Sequence, residues 1–361
     1  MKNVISIIIV MLIANSFAFA QSESDKLQAE EYFVEAITIM DEGQYEESIA
    51  LLRKAKKLNP DESDYTYEIA YAYCIQKKYK EAIKEIKTII SNEDTNDQYY
   101  QLLGNCYDYI GKSEKALTTY KQGLEKFPNS GRLYLEQGVV EYTRENYNEA
   151  INYWETGVET EPTYSSNYYW LGKIFSYTDE RIWSVLYAEM FINLERNTAR
   201  TKEMSKILYE AYKESVYISS DTSEGVDFSK VMILDETEGF TIPFQMSYGM
   251  VMSMSLPILS IKKDHNISIG LLNNLRQSFI SNWYEMEFDK DYSNLLFDFQ
   301  RQLKAMGYIE AYNYWLMMTG DEDEFGIWYE TNESQFNDFV DWFNENPITV
   351  NKENYFLRLN Y

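Results

Sequence analysis

Small residues recur at a fixed spacing of 34 residues along the first half of the chain, and this repeat constrains the fold more than any other feature. When Asp97 is taken as position 1, Gly104 stands at position 8 and Ala116 at position 20. Frames shifted by multiples of 34 carry small residues in the same two slots: Ala36, Ala70, Gly138 and Gly172 at position 8, and Ser48, Ala82, Ala150 and Ser184 at position 20. A small residue is needed where two helices cross closely, so each frame predicts a pair of packed helices.

Larger apolar residues fill the other positions of each frame. In the frame that starts at 97, positions 4, 7, 11 and 24 are Tyr100, Leu103, Tyr107 and Tyr120. Proline closes three frames at position 32, where it cannot continue a helix and sets a turn; these residues are Pro60, Pro128 and Pro162. The frame from 63 lacks this proline, and the frame from 165 is looser in its second half.

This pattern resembles the tetratricopeptide repeat family, whose 34-residue signature carries the same residue types in the same slots. The resemblance covers residues 29–200 as five repeats without a gap, which start at 29, 63, 97, 131 and 165. It implies stacked helix pairs that build a right-handed TPR-like α-solenoid, with the first helix of each pair lining a concave groove. We therefore expect an all-α protein in which this solenoid is followed by a smaller helical C-terminal domain.

In this family the groove usually holds a peptide or a helix of a partner, contacted from positions 2, 5, 9, 12 and 13 of each repeat. Candidate contact residues here are Tyr67, Tyr71, Gln101, Asn105, Tyr109, Tyr142, Tyr169, Lys173 and Tyr177. Only Arg132 and Lys173 bring positive charge, so the clamp that some members use for a terminal carboxylate is not assembled. A tyrosine-rich groove suits an extended peptide or an apolar helix face. The same rings suit packing within the chain equally well.

The first twenty residues have the features of a secretory signal peptide of bacterial type. Lys2 precedes an apolar run from Val4 to Ile13, which is too short to cross a bilayer. The tripeptide Ala18-Phe19-Ala20 fits a cleavage site before Gln21. We expect residues 1–20 to be removed, residues 21–28 to form a short lead before the repeats, and the mature protein to be periplasmic or secreted.

The net charge limits the classes of partner, and the positions of the two cysteines bear on whether they form a disulfide. The formal net charge of −25 disfavours nucleic acid, because an acidic surface repels phosphate backbones. The two cysteines, Cys74 and Cys106, both lie inside helical patterns, so we expect them to pack as small apolar residues rather than to form a disulfide.

Beyond residue 200 the repeat pattern is lost but helical patterns continue. Residues 201–218 carry one apolar face and predict a capping helix, and residues 219–361 predict a helical C-terminal domain with a short hairpin between 226 and 240. The uncharged stretch 242–261 fits a strand or a helix by its period. Its Pro243, Gly249 and Pro257 argue against a membrane span, and we interpret it as a buried helix that starts at Pro243. Further helices are predicted where Leu271, Leu275, Phe279 and Trp283 step by four, and over 295–306, 309–318 and 336–343.

No motif assembles catalytic or metal-binding chemistry. His265 is the only histidine, and one histidine cannot complete a metal cage. The run Asp321 to Glu324 begins like a calcium loop, but Phe325 stands where the third oxygen ligand belongs, so we expect a solvated loop. Phosphate-loop and dinucleotide fingerprints are absent from the sequence. We therefore expect neither a metal nor another cofactor.

These observations favour a non-enzymatic scaffold or adaptor that holds a protein or peptide partner in the periplasm or cell envelope, with no nucleic acid bound and no transmembrane span in the mature chain. Two alternatives stay open. One is an enzyme whose active site lies in the C-terminal helical domain, with the repeats recruiting substrate. The other is a carrier for a glycan or a hydrophobic ligand, which the tyrosines and methionines suggest.

Overall fold

The structure, a computed structural model, describes residues 23–218, 224–229, 242–256 and 267–361. The predicted signal peptide, His265 and most of the predicted hairpin lie outside these ranges. The chain divides into two compact units, Met1–Thr143 and Arg144–Tyr361, called here the N-terminal and C-terminal units. This division falls inside the fourth predicted repeat. The domain boundaries expected from sequence stay a prediction.

Paired helices follow one another along the repeat region, as the sequence predicts. In the N-terminal unit they are α1 (23–41), α2 (Tyr45–Leu58), α3 (Asp64–Ile75), α4 (Tyr79–Ile86), α5 (Asp97–Tyr109), α6 (Ser113–Lys126) and α7 (Gly131–Thr143). In the C-terminal unit they are α8 (Tyr147–Thr160), α9 (Ser165–Phe175), α10 (Arg181–Leu194) and α11 (Ala199–Ser215). The second helices α2, α4, α6, α8 and α10 begin at 45, 79, 113, 147 and 181, each 34 residues after the last.

The turn between the two helices of a pair repeats as well. Position 15 adopts a left-handed backbone in four frames, at Gly43, Lys77, Gly111 and Glu145, with φ of 82°, 60°, 73° and 64°. After α5, the Gly111 N–H donates to the Asp108 carbonyl at 2.7 Å, and the Lys112 N–H donates to the Tyr107 carbonyl at 2.9 Å. This closes the last turn of the helix and reverses the chain. Glycine takes this conformation without steric cost, whereas Lys77 and Glu145 hold it under strain.

The small residues at positions 8 and 20 lie where the helices of a pair meet. At Gly172 the neighbour is backbone: a Cβ there would stand 3.1 Å from the Ala188 nitrogen, and Ser184 Oγ donates to the Gly172 carbonyl at 2.8 Å. At Gly104 the neighbour is a ring, because a Cβ would lie under 3.0 Å from three ring atoms of buried Tyr120. The position-8 glycines therefore make room either for a crossing backbone or for the position-24 side chain.

Both cysteines pack in the core of the N-terminal unit. Cys106 is buried and Cys74 half-buried in one apolar cluster with Ala70, Ala82 and Leu103, and both are free thiols. The hydrogen bond that the Cys106 thiol donates to Cys74, together with burial, raises the pKa of Cys106. The predicted packing role is confirmed.

The predicted capping helix corresponds to α11. It begins at Ala199, which is 34 residues after the start of α9, and it packs against α9 and α10. It ends at Ser215 rather than at 218, because residues Val216–Ile218 form β1, which pairs antiparallel with β2 (Glu224–Val226). This short strand pair precedes, in sequence, the range 226–240 predicted for the hairpin.

Helices α12 (Phe244–Ser255), α13 (Ile269–Glu285), α14 (Phe288–Asp291), α15 (Leu295–Met306), α16 (Ile309–Met317) and α17 (Glu322–Glu345) complete the C-terminal unit. The predicted helix after Pro243 is confirmed over Phe244–Ser255. Its buried face includes Phe244, Tyr248, Val251 and Met252, whereas Met254 is exposed. Ring contacts join Phe244 to Trp283 at 5.8 Å and to Tyr361 at 4.3 Å.

A polar network is enclosed in the core of the C-terminal unit. Arg276 and Glu189 are both buried, and Arg276 Nη2 donates to Glu189 Oε1 at 2.8 Å. Around the pair, Arg276 donates to Tyr212 (2.5 Å) and Asn313 (2.7 Å), and Glu189 Oε1 accepts from Gln300 (2.7 Å) and Tyr312 (2.8 Å). The network ties α10, α11, α13, α15 and α16 together.

Candidate partner-binding surface

Large apolar side chains stay exposed on the first helices α3 and α5 of the N-terminal unit. Tyr71 is 42% exposed, Ile75 is 39% exposed and Tyr109 is 57% exposed. Tyr71 and Ile75 are four residues apart and so share one face of α3, and α3 contacts α5. With the half-buried ring of Tyr67, these residues are called here the tyrosine surface.

Ring contacts orient this surface. Tyr67 stacks on Tyr71 with centroids 6.4 Å apart, and on the buried Tyr99 at 5.1 Å. The Tyr99 hydroxyl donates to Asp64 Oδ1 at 2.8 Å, which fixes the base of the stack. The structure therefore brings the predicted residues Tyr67 and Tyr71 together, and Tyr67 holds the more exposed ring of Tyr71.

Tyr109 is held from a different side. Its ring packs against Tyr79, the first residue of α4, at 5.1 Å between centroids. One face of the ring is thus supported by the chain, and more than half of the side chain remains accessible. A supported, exposed aromatic ring offers contact area with little loss of side-chain freedom on binding.

Gln101 and Asn105, two of the predicted contact residues, are engaged within the chain. Gln101 Nε2 donates to Glu136 Oε1 at 2.6 Å, and Arg132 Nη1 donates to Gln101 Oε1 at 3.1 Å. The Asn105 amide, in the orientation that satisfies both of its ends, donates to Glu136 Oε2 at 3.1 Å and to the Tyr120 hydroxyl at 2.5 Å. Burial raises the pKa of Glu136, and the amides from Gln101 and Asn105 oppose that rise.

A second carboxyl, Glu68, lies on α3 between Tyr67 and Ile69. Burial, reinforced by the negative charges of Asp64 and Asp41, raises its pKa to about 7. Glu68 therefore changes charge near neutral pH. The raised pKa values leave Glu68 and Glu136 less negatively charged at neutral pH than exposed carboxylates are.

In the C-terminal unit the predicted residues are arranged differently. Tyr169 is only 7% exposed, and its hydroxyl donates to Glu203 Oε2 of α11 at 2.6 Å. Lys173 Nζ donates to Glu203 Oε1 at 2.8 Å and lies 5.8 Å from the centre of the Trp170 ring. These groups are used inside the unit, which is the packing alternative left open by the sequence.

The two remaining predicted residues lie at helix ends. Tyr177 is 76% exposed just after α9. Tyr142 is half-buried near the end of α7. The contact role of both residues stays a prediction.

Two residues of this region were not predicted as contacts. Ile75 stands at position 13 of its frame, the same position that gives Tyr109, so the groove rule itself points to it. Glu136 stands at position 6, which the groove rule omits, and only its hydrogen bonds with Gln101 and Asn105 reveal its role.

The acidic run from Asp321 is neither a calcium loop nor a solvated loop. Asp321 Oδ1 accepts from the Glu324 N–H at 3.0 Å and so caps the start of α17. The carboxylate of Glu324 accepts from the N–H groups of Ile269 (2.7 Å) and Gly270 (2.8 Å) at the start of α13. Carboxylates stabilise helix N-termini because they satisfy unpaired N–H donors and oppose the helix dipole. Within the described residues, no group of three His, Cys, Asp or Glu side chains could hold a metal ion.

Family models for the tetratricopeptide repeat match residues 40–106 and residues 102–164. Residues 40–164 of this chain therefore belong to the tetratricopeptide repeat (TPR) family. The matches overlap the predicted frames and the paired helices that begin every 34 residues. Such TPR proteins are generally non-enzymatic scaffolds, and their repeats bind protein or peptide partners. Among the described helices, none is long and apolar enough to cross a membrane.

Curated relatives match parts of the repeat region. A TPR repeat-containing protein of Methanocaldococcus jannaschii is 33% identical over 108 residues, which cover 29% of this chain and 33% of that protein. Human tetratricopeptide repeat protein 21B is 26% identical over 119 residues, covering 33% of this chain and 9% of the relative. The general transcriptional corepressor trfA of Dictyostelium discoideum is 26% identical over 114 residues, which cover 29% of this chain and 8% of that protein. The chain thus spans a third or less of these relatives.

Solved TPR structures show a distant likeness. PilF of Pseudomonas aeruginosa has a TM-score of 0.44 at 15% identity, covering 53% of this chain and 86% of that one. A thermophilic TPR protein of Thermus thermophilus has a TM-score of 0.43 at 16% identity, and the match covers 50% of this chain and 98% of that one.

Proposed function

We propose that this TPR protein is a non-enzymatic adaptor that binds an extended peptide segment of a protein partner on the tyrosine surface. The observation that carries the proposal is the exposure of Tyr71, Ile75 and Tyr109 on adjacent first helices. Aromatic side chains with one polar tip dominate the affinity of many protein interfaces. An extended segment fits because the rings are spread over two helices instead of being gathered in one deep pocket.

The charge around the surface selects the partner's chemistry. Glu68, next to Tyr67, gains its negative charge as the pH rises through about 7, and the whole chain carries a formal net charge of −25. Complementary charge speeds association and disfavours wrong partners. We therefore infer a partner segment that alternates apolar or aromatic side chains with lysine or arginine.

The proposed place of action is the periplasm or the outside of the cell, because residues 1–20 have the composition of a secretory signal. Fractionation of expressing cells and N-terminal sequencing of the mature protein test this part. A mature chain that starts at Gln21 in the periplasm or medium supports it. A cytoplasmic chain that retains residues 1–20 contradicts it.

Binding is tested with peptides selected from a random displayed library on the intact mature chain. The Kd of a selected peptide is measured by fluorescence anisotropy for the wild type, for Tyr71→Ala with Tyr109→Ala, and for Tyr147→Ala. Tyr147 is a matched control, since it is 49% exposed but begins α8, a second helix. Loss of two contact rings is expected to raise the Kd about thirtyfold or more, while the control keeps the wild-type value.

Two outcomes contradict the proposal. One is a double variant that binds the selected peptides as tightly as Tyr147→Ala does. The other is a double variant that loses thermal stability by several kcal/mol, because the rings would then belong to the core.

A further inference from the structure

An apolar cavity of about 430 Å³ opens in the C-terminal unit between α16, α17 and the turn after α10. Its walls include Trp315, Met318, Phe325, Phe336 and Phe339, with Arg196 at one side. Its volume lies within the range of small-molecule sites, about 300 to 1,000 Å³. The cavity is separate from the tyrosine surface, which belongs to the N-terminal unit.

A kink in α17 shapes the cavity. Asn332 has non-helical angles (φ −126°, ψ 20°), and its side-chain amide donates to the Trp328 carbonyl at 2.8 Å. This side chain takes a carbonyl that the helix would otherwise bind with a backbone N–H, which is a recognised cause of a helix kink. The kink lets Phe336 fold back on Phe325, with ring centroids 5.7 Å apart.

Arg196 carries a positive charge at this apolar wall. Its guanidinium lies 3.6 Å from the centre of the Phe343 ring, and burial lowers its pKa. Its hydrogen bonds are long, at 3.4 Å to the Asn193 carbonyl, 3.4 Å to the Phe343 carbonyl and 3.5 Å to Asn344 Oδ1.

Among the described residues, Arg196 forms no ion pair. The adjacent carboxylate of Glu195 is engaged elsewhere, because it pairs with Arg200 and accepts from Thr198 and Ser165. The Tyr312 hydroxyl opposes the effect of burial and favours the charged form of Arg196.

We propose that this cavity binds a small apolar carboxylate, an aromatic or aliphatic acid whose carboxylate pairs with Arg196 and whose body packs against the walls formed by Phe325, Phe336 and Met318. Arginine suits this task because its planar fork binds a carboxylate with two parallel hydrogen bonds. The aromatic walls bury the body of the ligand and exclude water from the ion pair. This site would act independently of the tyrosine surface.

The first test uses the wild-type full chain and two probes of equal size, 3-phenylpropionate and its neutral amide. Titration calorimetry and quenching of tryptophan fluorescence, to which Trp315 contributes, measure both affinities. The acid is expected to bind with a Kd of about 0.1 to 1 mM, in keeping with ligands of this size, and the amide at least about tenfold more weakly. Equal affinities for the two probes, or no binding of the acid at about 10 mM, overturn the proposal.

The second test locates the site. Arg196→Met keeps an apolar stem without the charge. It is expected to raise the Kd of the acid about tenfold and to leave the Kd of the amide unchanged. Arg301→Met is the matched control, because Arg301 also lies over a ring, Tyr284 at 3.9 Å, but is exposed and paired with Asp298. An Arg196→Met protein that binds the acid like the wild type, or an Arg301→Met protein that loses as much affinity, overturns the assignment. The probes applied to folded wild type keep the proposal testable if Arg196→Met is unstable.

Discussion

The first helices of the repeats have different neighbours in the two units. In the N-terminal unit, α3 and α5 leave Tyr71 and Tyr109 about half exposed. In the C-terminal unit, α11 packs on α9, and the Glu203 carboxylate binds both Tyr169 and Lys173. The same residue type at related repeat positions is thus a surface group in one unit and a core group in the other. The repeat signature sets helix packing, whereas the neighbouring helix decides whether a ring is free to bind.

The units also differ in what fills their cores. Buried residues in the N-terminal unit are mainly small aliphatic and aromatic side chains from adjacent repeats. The C-terminal unit encloses the Arg276–Glu189 pair and its hydrogen-bond network. All seven tryptophans lie at residue 154 or beyond, so tryptophan fluorescence reports on the C-terminal unit alone. Tryptophan fluorescence can therefore follow unfolding of the C-terminal unit, and hydrogen exchange can follow the stability of both units.

The largest effect is expected when one member of the buried ion pair is removed. Arg276→Met leaves the Glu189 carboxylate buried without its cation and should lower the free energy of unfolding of the C-terminal unit by about 3–5 kcal/mol. Urea unfolding followed by tryptophan fluorescence measures this. The exposed pair gives the control, since Arg301→Met should cost about 0–1 kcal/mol. Equal losses for the two variants would mean that the enclosed network does not stabilise this unit.

The next effect separates the two kinds of tyrosine. Tyr169→Ala removes a buried ring and its hydrogen bond to Glu203, so it should cost about 2–4 kcal/mol. Tyr71→Ala removes a half-exposed ring and should cost under about 1 kcal/mol. Hydrogen exchange of α9 and α3 in the two variants measures the local losses. The comparison between the units fails if Tyr71→Ala is the more damaging change.

Gly104→Ala tests the close packing of the repeats in the N-terminal unit. The new methyl group would collide with the ring of Tyr120, which is only 1% exposed, so a loss of about 1–3 kcal/mol is expected. Thermal unfolding followed by circular dichroism measures it. Gly326→Ala, in α17 with nothing within 4 Å of the added Cβ, is the control and should gain about 0.5–1 kcal/mol through helix propensity. If Gly104→Ala does not change the thermal stability, the packing between α5 and α6 at Gly104 is not close.

The smallest effect concerns the pH dependence of Glu68. Its pKa is raised to about 7 in the folded chain, above the value of about 4.3 for an unperturbed glutamate. The folded state therefore favours the protonated carboxyl, and its contribution to stability is full below about pH 4 and is lost as the pH rises through about 7. Discounted for solvent screening, Glu68→Gln should raise the free energy of unfolding by about 1 kcal/mol at pH 8 and leave it unchanged at pH 4.

Exposed Glu35 supplies the control for this titration, because Glu35→Gln removes the same charge from the surface of α1. Hydrogen exchange of α3 at pH 4, 6 and 8 follows the local effect. A pH-independent gain in Glu68→Gln, or an equal gain in Glu35→Gln, would assign the effect to the net charge of −25 rather than to burial of this carboxyl.

The accessibility of the candidate contact residues was only partly predictable. Tyr71 and Tyr109 follow from their repeat positions, and the structure leaves both exposed. Tyr169 follows from the same rule but is covered by α11, which lies beyond the predicted repeats. Gln101 and Asn105 were assigned to a partner, but their amides bind Glu136 of the next helix pair. The repeat position of a residue predicts which face of its helix it occupies, whereas its hydrogen bonds depend on the residues of the neighbouring helix.

The sequence by itself determined the paired helices, their 34-residue spacing and the buried small residues, because each repeat contacts only its neighbours and a local pattern records those contacts. Tertiary structure alone decided which rings are accessible, that Arg276 meets Glu189 across 87 residues of chain, and that Arg196 borders a cavity built by α16 and α17. Contacts between residues so distant in the chain leave no periodic signal, since neither partner's position in its own helix specifies the other.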